Sequence, residues 1–400
     1  MKLNKTIMTA LLGLSLAGMA KATDDIYITG STAVAGAFFQ TCTNPGAIFT
    51  TAPSYVMYGG LGAGVDAQYA FYGTLVGGSG TTYIICNFGG SESGLQAVAN
   101  NGAPTLAYMT ETFINGYASG TDIATNGFPL TGNTVNHKSD IAFADNVQAD
   151  SPTAYAHGVY QALTVGAPVA QIPFKFVRNN GWWKGTNITS SAIRQILTGG
   201  ALRAVVSGNT ADTNDWVYFA GRASSSGTRV NYLGDTSYGI SIAVKQIEMN
   251  ANGSLSSSAG QYTRDWGNSA AAIATAFDSD TTGFADPVHA GKTGYSAIAC
   301  LGYTDTAAAV AGGHALELSY NGVPFTYSNI VNGTYTLWGN EYIYQTYSMG
   351  YSGQSAQVHQ AYLNFVASFP ANCDGKICIN STQMKATRGS AAGDVVHTAQ

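Results

Sequence analysis

The stretch GRASSSGTR, residues 221–229, places one arginine beside a run of hydroxyl side chains and a glycine. A guanidinium presents a planar fork of N–H donors that matches an oxyanion, and glycine lets a ligand approach the backbone closely. Only 10% of the 400 residues are charged, so an arginine here is a specific feature. The pattern favours an anion-binding loop, with an ordinary surface salt bridge as the alternative role for Arg222.

Three other predicted strands end in similar chemistry. TGSTA places Thr32 after a strand at residues 26–30, GGSESG places Ser91 and Ser93 after the next, and DIAFAD ends at Asp145. The first N–H groups of a helix are unpaired and carry the positive end of its dipole, so an oxyanion there needs few added charges. Each turn alone is more typical of a plain loop, and Asp145 alone is compatible with a helix cap or a hinge hydrogen bond.

The order of elements indicates the architecture that positions these turns. Strands alternate with glycine or hydroxyl turns and helices, which predicts an α/β fold with parallel sheets whose ligand lies at the carboxyl ends of strands. Residues 44–80 and 101–138 look like insertions. The segment 355–369 predicts an amphipathic helix. Its expected apolar face is Tyr362, Phe365, Val366 and Phe369.

Composition and the first residues indicate the compartment. At 400 residues two domains are expected, and the low charge suits a secreted or surface protein. The net charge of −5 argues against nucleic-acid binding. Residues 1–22 predict a signal peptide, with Lys2 and Lys5, a short apolar span, and Ala20 and Ala22 at the cleavage site. The span is too short for a comfortable membrane anchor, and no cysteine follows it for lipid attachment.

The cysteines and histidines narrow the remaining chemistry. An oxidising compartment permits disulfides, and we expect Cys373 and Cys378 to close a small loop. Cys42 and Cys86 could pair, and Cys300 is expected to be a buried free thiol. The six histidines show no metal-binding spacing, so neither a metal nor a cofactor is expected.

The motifs in their order, TGSTA, GSESG, DIAFAD and GRASSSGT after a signal peptide, resemble those of the periplasmic phosphate-binding proteins. These are the solute-binding subunits of bacterial phosphate ABC transporters. The resemblance spans most of the mature chain but is carried by these short motifs. It implies a type II periplasmic-binding-protein fold of two α/β lobes, with lobe one at 23–165 plus 335–400 and lobe two at 166–334.

The resemblance also implies a set of phosphate-binding residues. They are Thr32, Ala33 (through its amide), Ser91, Asp145, Arg222, Ser226, Gly227 and Thr228. Two positions depart from the family: Ser224 stands where an acid usually holds the arginine, and Ser225 replaces a glycine. A carboxylate at Asp145 would accept a hydrogen bond from the P–OH of hydrogen phosphate, whereas sulfate offers no such donor.

The resulting expectation is a periplasmic or secreted binding protein, not an enzyme, that takes up or senses phosphate or a related oxyanion. An ABC transporter permease would be its partner, without nucleic acid and without a membrane span after signal cleavage. One alternative is a structural or adhesive surface protein that keeps the fold without a ligand. Another is a secreted serine hydrolase using Ser226 or Ser91, although no GxSxG motif or partner histidine motif is present.

Overall fold

The structure is a computed structural model. It describes residues 24–59, 68–99, 105–126, 129–151, 162–164, 166–180, 185–212, 215–253, 263–264, 267, 269–281, 284, 295–346, 356–375, 377–389, 393 and 396–398. The predicted signal peptide, 1–22, lies outside these residues.

The strands and helices alternate along the chain. The strands are β1 Asp24–Gly30, β2 Ser54–Tyr58, β3 Gln68–Gly73, β4 Thr82–Asn87, β5 Leu106–Met109, β6 Thr121–Asp122, β7 Thr134–His137, β8 Ile141–Ala144, β9 Ala170–Arg178, β10 Asn187–Ile188, β11 Ala201–Leu202, β12 Trp216–Phe219, β13 Lys245–Gln246, β14 Thr263–Arg264, β15 Tyr295–Gly302, β16 Leu316–Glu317, β17 Ser319–Tyr320, β18 Trp338–Gln345, β19 Ile379–Asn380, β20 Ala386–Arg388 and β21 Val396–Thr398. The α-helices are α1 Ala35–Thr43, α2 Ser91–Ala99, α3 Glu111–Ile114, α4 Ser190–Gly199, α5 Arg203–Ser207, α6 Gly227–Asp235, α7 Ala270–Ser279, α8 Tyr303–Val310, α9 Tyr327–Val331 and α10 Ala356–Ser368.

Thirteen of the described strands form one sheet. Its order is β11-β12-β15-β9-β18-β8-β1-β4-β3-β2-β6, and β16 and β19 both pair with β9. Buried aliphatic and aromatic side chains fill both faces, as on the nine consecutive buried residues of β9, because helices cover a sheet of this type on its two sides. The α/β fold class is therefore confirmed.

The expected parallel strands are present, but within a mixed sheet. At one edge β2 pairs parallel with β6. Two larger groups are also parallel: β8, β1 and β4 in one, and β12 with β15 in the other. Between them β9 and β18 run antiparallel to each other and to their outer neighbours. The two groups are joined by long antiparallel strands, a connection that the local alternation of strand and helix does not reveal.

The two predicted insertions contribute ordered structure. The segment 44–80 supplies β2 and β3, which pair antiparallel and extend the sheet beside β4. The segment 101–138 supplies the hairpin-like pair β5 and β7 and the short β6 beside β2. Tyr108 at the centre of β5 is fully buried, so these segments add to the core.

Helices such as α4 begin directly after a capping residue, but one predicted apolar face is partly wrong. Helix α4 begins after Thr189, whose hydroxyl accepts from the Ala192 N–H at 3.2 Å. In α10, Phe365 is buried, as is Phe369 just after the helix end, but Val366 is exposed. The inward face of α10 also includes Val358, Ala361 and Asn364, so it lies towards the start of the helix compared with the predicted face.

The cysteine predictions can be compared with the structure directly. Cys373 and Cys378 form a disulfide with a Cα–Cα distance of 4.9 Å, and Cys300 is a buried thiol, as expected. The suggested pair is not formed: Cys42 and Cys86 are both free and buried. Burial raises the pKa of each of these two thiols well above its ordinary value, so both behave as small apolar core residues.

Among the described helices, none has the length and apolar character needed to cross a membrane.

Candidate ligand-binding site

The pairing of β9 with β18 brings the carboxyl ends of the two parallel groups towards each other. These strands pair with each other only over Ala170–Pro173 and Trp338–Glu341. Just outside this stretch, Gly302 at the end of β15 lies opposite Phe174, and Ala144 at the end of β8 lies opposite Tyr342. Four residue pairs, roughly 13 Å at 3.3 Å per residue, therefore separate two facing sets of strand ends.

A cavity of about 260 Å³ lies between these facing strand ends. It is lined by Thr32, Ala33, Gly36, Phe39, Gln40, Gly89, Gly90, Arg222, Ala223, Ser225, Ser226, Ser269, Ala270, Gly302, Tyr303, Thr304, Asp305 and Ile377. Both halves of the sheet contribute, which matches the general location of ligands in open α/β folds.

Five helices begin at this cavity. Gly90 and Ser226 directly precede α2 and α6, while Ser269 and Gly302 are the N-caps of α7 and α8. The turn at Thr32–Val34 leads into α1. Each start carries unpaired N–H groups and a partial positive charge, so their convergence produces a positive potential that needs few charged side chains.

Arg222 supplies a formal positive charge to the cavity. Its side chain is 8% exposed, and Nη1 donates to Thr228 Oγ1 at 3.4 Å. Among the described residues, no acceptor lies within hydrogen-bonding distance of its Nε, and no carboxylate forms an ion pair with it. A buried donor without a partner is costly, so this guanidinium is suited to an anion that enters the cavity.

Asp145 lies behind the cavity and already has a protein partner. The Ser91 hydroxyl donates to Asp145 Oδ1 at 2.5 Å, and Asn231 Nδ2 donates to the Asp145 carbonyl at 2.8 Å. Burial raises the Asp145 pKa to about 6, against the opposing effects of the Ser91 hydrogen bond and the Arg222 charge. Near neutral pH this carboxyl is therefore close to its titration point.

The two halves of the sheet touch tightly beside Asp145. A Cβ placed on Gly227 would lie 1.5 Å from Asp145 Oδ1 and 2.6 Å from Ser91 Oγ, so only glycine fits this close approach. Nearby, the Glu92 N–H donates to the Ser225 carbonyl at 3.1 Å. A direct hydrogen bond thus links the start of α2 to the loop before α6.

The structure divides the eight predicted site residues into two sets. Thr32, Ala33, Arg222 and Ser226 line the cavity. Ser91, Asp145, Gly227 and Thr228 are buried just behind it and are not among its lining residues. We call this second set the packed layer. All eight lie around the facing strand ends, and their roles towards a ligand remain predictions.

Asp305 and Ser269 are among the polar residues of the cavity wall that sequence reasoning missed. Asp305 lies in the first turn of α8, after β15, and burial raises its pKa while the Arg222 charge lowers it. Ser269 caps α7, accepting from the Ala272 N–H at 3.2 Å. The sequence signal that could have found them is the one used for the other turns, a hydroxyl or acidic residue where a helix begins. For Asp305 this signal is the motif GYTD, which follows an apolar stretch.

A second buried carboxyl stands near the packed layer. Glu341, on β18, is fully buried, and among the described residues neither of its carboxylate oxygens has a hydrogen-bond partner. Burial raises its pKa well above the ordinary value, and the neighbouring Asp145 adds to this effect. Burial therefore favours the neutral form of Glu341 over its carboxylate.

Three described histidines make hydrogen bonds to residues outside the cavity and the packed layer. His137, His314 and His359 make their hydrogen bonds to Lys138, Asp278 and Gln345 respectively. Within the described part of the chain, no three histidine, cysteine or acidic side chains are grouped as metal ligands.

Comparisons with known proteins give matches only among solved structures. No family model matches the chain, and no curated protein matches it. One matched structure is a protein provisionally described as a phosphate ABC transporter substrate-binding protein, with bound phosphate, from Clostridium perfringens (12% identity, 89% of this chain and 99% of that chain, TM-score 0.48). Another is an ABC-type phosphate transport receptor from Vibrio cholerae (15% identity, 87% of this chain and 95% of that chain, TM-score 0.42). A third is PstS from Borrelia burgdorferi (13% identity, 86% of this chain and 92% of that chain, TM-score 0.34).

Proposed function

We propose that this chain is an extracytoplasmic solute-binding protein that reversibly holds phosphate or a related oxyanion in the cavity. The observation that carries the proposal is Arg222, a buried guanidinium with an unpartnered Nε, at a point where five helices begin. Backbone N–H groups and hydroxyls can bind an oxyanion without neutralising it fully, which suits reversible binding.

The cavity residues are proposed to contact the anion directly. Arg222 would form the charged contact, with Thr32, the Ala33 amide and Ser226 as further donors. The packed layer of Ser91, Asp145, Gly227 and Thr228 would hold the two halves in register behind the ligand. Thr228 also positions Arg222 through the 3.4 Å hydrogen bond from Nη1.

The two lobes are proposed to lie at 23–165 plus 335–400 and at 166–334. This division is supported by β9 and β18, which connect the two parallel groups of the sheet near residues 170 and 338. A small change in these two strands would separate the facing strand ends and open the cavity, the usual hinge motion of two-lobed binding proteins.

The proposed setting is the periplasm or the exterior, with an ABC transporter permease as the partner that receives the ligand. The low charge and the disulfide between Cys373 and Cys378 support an oxidising compartment. The proposal assigns binding and no catalysis. In support, the Ser91 hydroxyl is bonded to Asp145, and the Ser226 hydroxyl accepts from the Arg229 N–H as a helix cap.

Calorimetric titration with a panel of oxyanions tests this proposal. Phosphate and arsenate are expected to bind the purified chain, with sulfate weaker and nitrate weakest. A folded protein that gives no binding with any of them would overturn the proposal and favour a structural or adhesive role. Covalent labelling by a serine-directed phosphonate would instead favour the hydrolase alternative.

A further inference from the structure

One wall of the cavity is apolar. Gly36, Phe39 and Gln40 lie on one face of α1 at spacings of three and four, and all three line the cavity. Ile377 packs across the start of this face, with its Cδ1 3.2 Å from the position of a Cβ on Gly36. Phe39 and Ile377, which we call the apolar wall, both line the cavity and offer an anion no hydrogen bond, whereas the Gln40 amide beside them is polar.

The apolar wall is held in place from both sides. The Phe39 ring packs edge-on against Tyr55, with centroids 5.0 Å apart. Ile377 belongs to the loop closed by the disulfide between Cys373 and Cys378, and its N–H donates to Asp374 Oδ1 at 2.8 Å. A surface fixed in this way is a preformed contact for an apolar group.

The cavity is also large for an inorganic anion. Its volume of about 260 Å³ exceeds the roughly 30 Å³ of one liquid water several times and approaches the roughly 300 Å³ at which pockets for small organic ligands begin. An inorganic phosphate ion bound at Arg222 would leave much of the remaining space against carbon atoms, where water is poorly bound.

Asp305 is a hydrogen-bond acceptor, unlike Arg222, and this indicates which chemical group the rest of the ligand carries. Its carboxyl group lines the same cavity as Arg222, so it favours a ligand that brings a hydrogen-bond donor as well as an anion. The P–OH of hydrogen phosphate is one such donor, and a hydroxyl group on an ester is another that can reach further from Arg222. Tyr303, beside it, also lines the cavity, while Lys175 lies over its ring with Nζ 4.8 Å from the centroid.

From these features we infer that the ligand is a hydroxylated phosphate monoester, such as a polyol or sugar phosphate. Its phosphate lies at Arg222 and the helix starts, its carbon chain lies on the apolar wall, and a hydroxyl donates to Asp305. This inference rests on the proposed function, since it uses the same oxyanion position, but it assigns a different class of ligand from inorganic phosphate.

Calorimetry with three probes tests the inference: inorganic phosphate, glycerol 3-phosphate and glucose 6-phosphate, at one pH and ionic strength. At least one ester is expected to bind about ten-fold tighter than phosphate or more, as for a small apolar group placed in a fitted pocket. Tighter binding of inorganic phosphate than of both esters would overturn the inference and leave the proposed function intact. No binding of any probe would overturn both.

Variants of the apolar wall locate the ester's contacts. Phe39→Ala and Ile377→Ala are each expected to weaken the ester by roughly ten-fold while leaving inorganic phosphate almost unchanged. Leu363→Ala is the matched control, because Leu363 is exposed on α10 away from the cavity. Since Phe39 is largely buried and its variant could unfold, Ile377→Ala in the surface loop decides the question. Equal weakening of ester and phosphate by Ile377→Ala would count against the apolar wall as the ester's contact.

Discussion

The cavity and the packed layer behind it contain similar polar residues that differ in whether their hydrogen bonds are formed within the protein. In the packed layer, the Ser91 hydroxyl is bonded to the Asp145 carboxylate, and Gly227 closes over both. In the cavity, the Arg222 Nε has no acceptor among the described residues. Hydroxyls, glycines and charges at strand ends therefore do not by themselves mark ligand contacts. A charged donor that lines the cavity and lacks an acceptor, as Arg222 does, is the better guide to where an anion sits.

Arg222→Ala should have the largest effect, because it removes the unpartnered charge from the cavity. Oxyanion affinity is expected to fall by about 2–5 kcal/mol, the usual loss when one partner of a buried charge pair is removed. Calorimetry with phosphate or an ester measures it. Arg194→Ala is the matched control: Arg194 donates to the Thr236 carbonyl at 2.6 Å and does not line the cavity.

The affinity of the Arg222→Ala protein shows whether Arg222 belongs to the binding site. A folded Arg222→Ala protein, judged by circular dichroism, that binds oxyanion as tightly as the wild type would exclude Arg222 from the site. The comparison between an unsatisfied cavity and a satisfied packed layer would then lose its basis.

Gly227→Ala tests the close packing of the packed layer. The added Cβ would overlap Asp145 Oδ1, and overpacking of this kind typically costs about 1–3 kcal/mol of folding stability. Denaturant unfolding should show this loss, together with weaker ligand binding because the two halves cannot close. Gly199→Ala is the control, since a Cβ there meets nothing within 4 Å; similar stability in both variants would mean that the layer is loosely packed in solution.

Glu341→Gln tests the electrostatics near the packed layer. A carboxyl whose folded pKa is raised contributes full stability below its unfolded pKa and loses it as the pH rises towards the folded value. The variant should match the wild type near pH 4 and gain on it by about 1.4 kcal/mol per pH unit above pH 5, up to the folded pKa. Glu317→Gln, where an exposed carboxylate pairs with the buried Lys175, should show no such gain.

A pH-independent difference between wild type and Glu341→Gln would contradict this result. It would mean that Glu341 ionises as readily in the folded protein as in the unfolded chain. Urea unfolding at several pH values measures the difference directly, and the contribution of Asp145 cancels because both proteins contain it.

Much of the local structure was predictable because its causes are local. Buried strands such as β8 are continuous apolar runs, and helix starts such as α4 and α6 follow hydroxyl caps at Thr189 and Ser226. The small disulfide loop at 373–378 follows from spacing alone. These features depend on neighbours within a few residues along the chain.

The composition of the cavity could not be predicted in the same way. It depends on the pairing of β9 with β18, whose partners Pro173 and Trp338 are far apart in sequence. That pairing brings Asp305 and Ile377 to the cavity and leaves Asp145 behind it. The inward face of α10 keeps the spacings of three and four at Val358, Ala361 and Phe365, but the exposure of Val366 depends on the neighbouring elements and could not be predicted from that spacing.

The smallest and most specific effect is expected on the preference for phosphate over sulfate, when Asp305→Asn and Asp145→Asn are compared. Hydrogen phosphate has a P–OH that can donate to a carboxylate, and sulfate has none. Because Asp305 lines the cavity while Asp145 already accepts from Ser91, Asp305→Asn should lower the phosphate-to-sulfate preference by roughly ten-fold, about 1.4 kcal/mol. Asp145→Asn should lower it less. Competition binding at one pH and ionic strength measures both ratios. A larger drop with Asp145→Asn would show that the packed layer opens to the ligand and that Asp145, as the motif DIAFAD suggested, selects for the protonated anion.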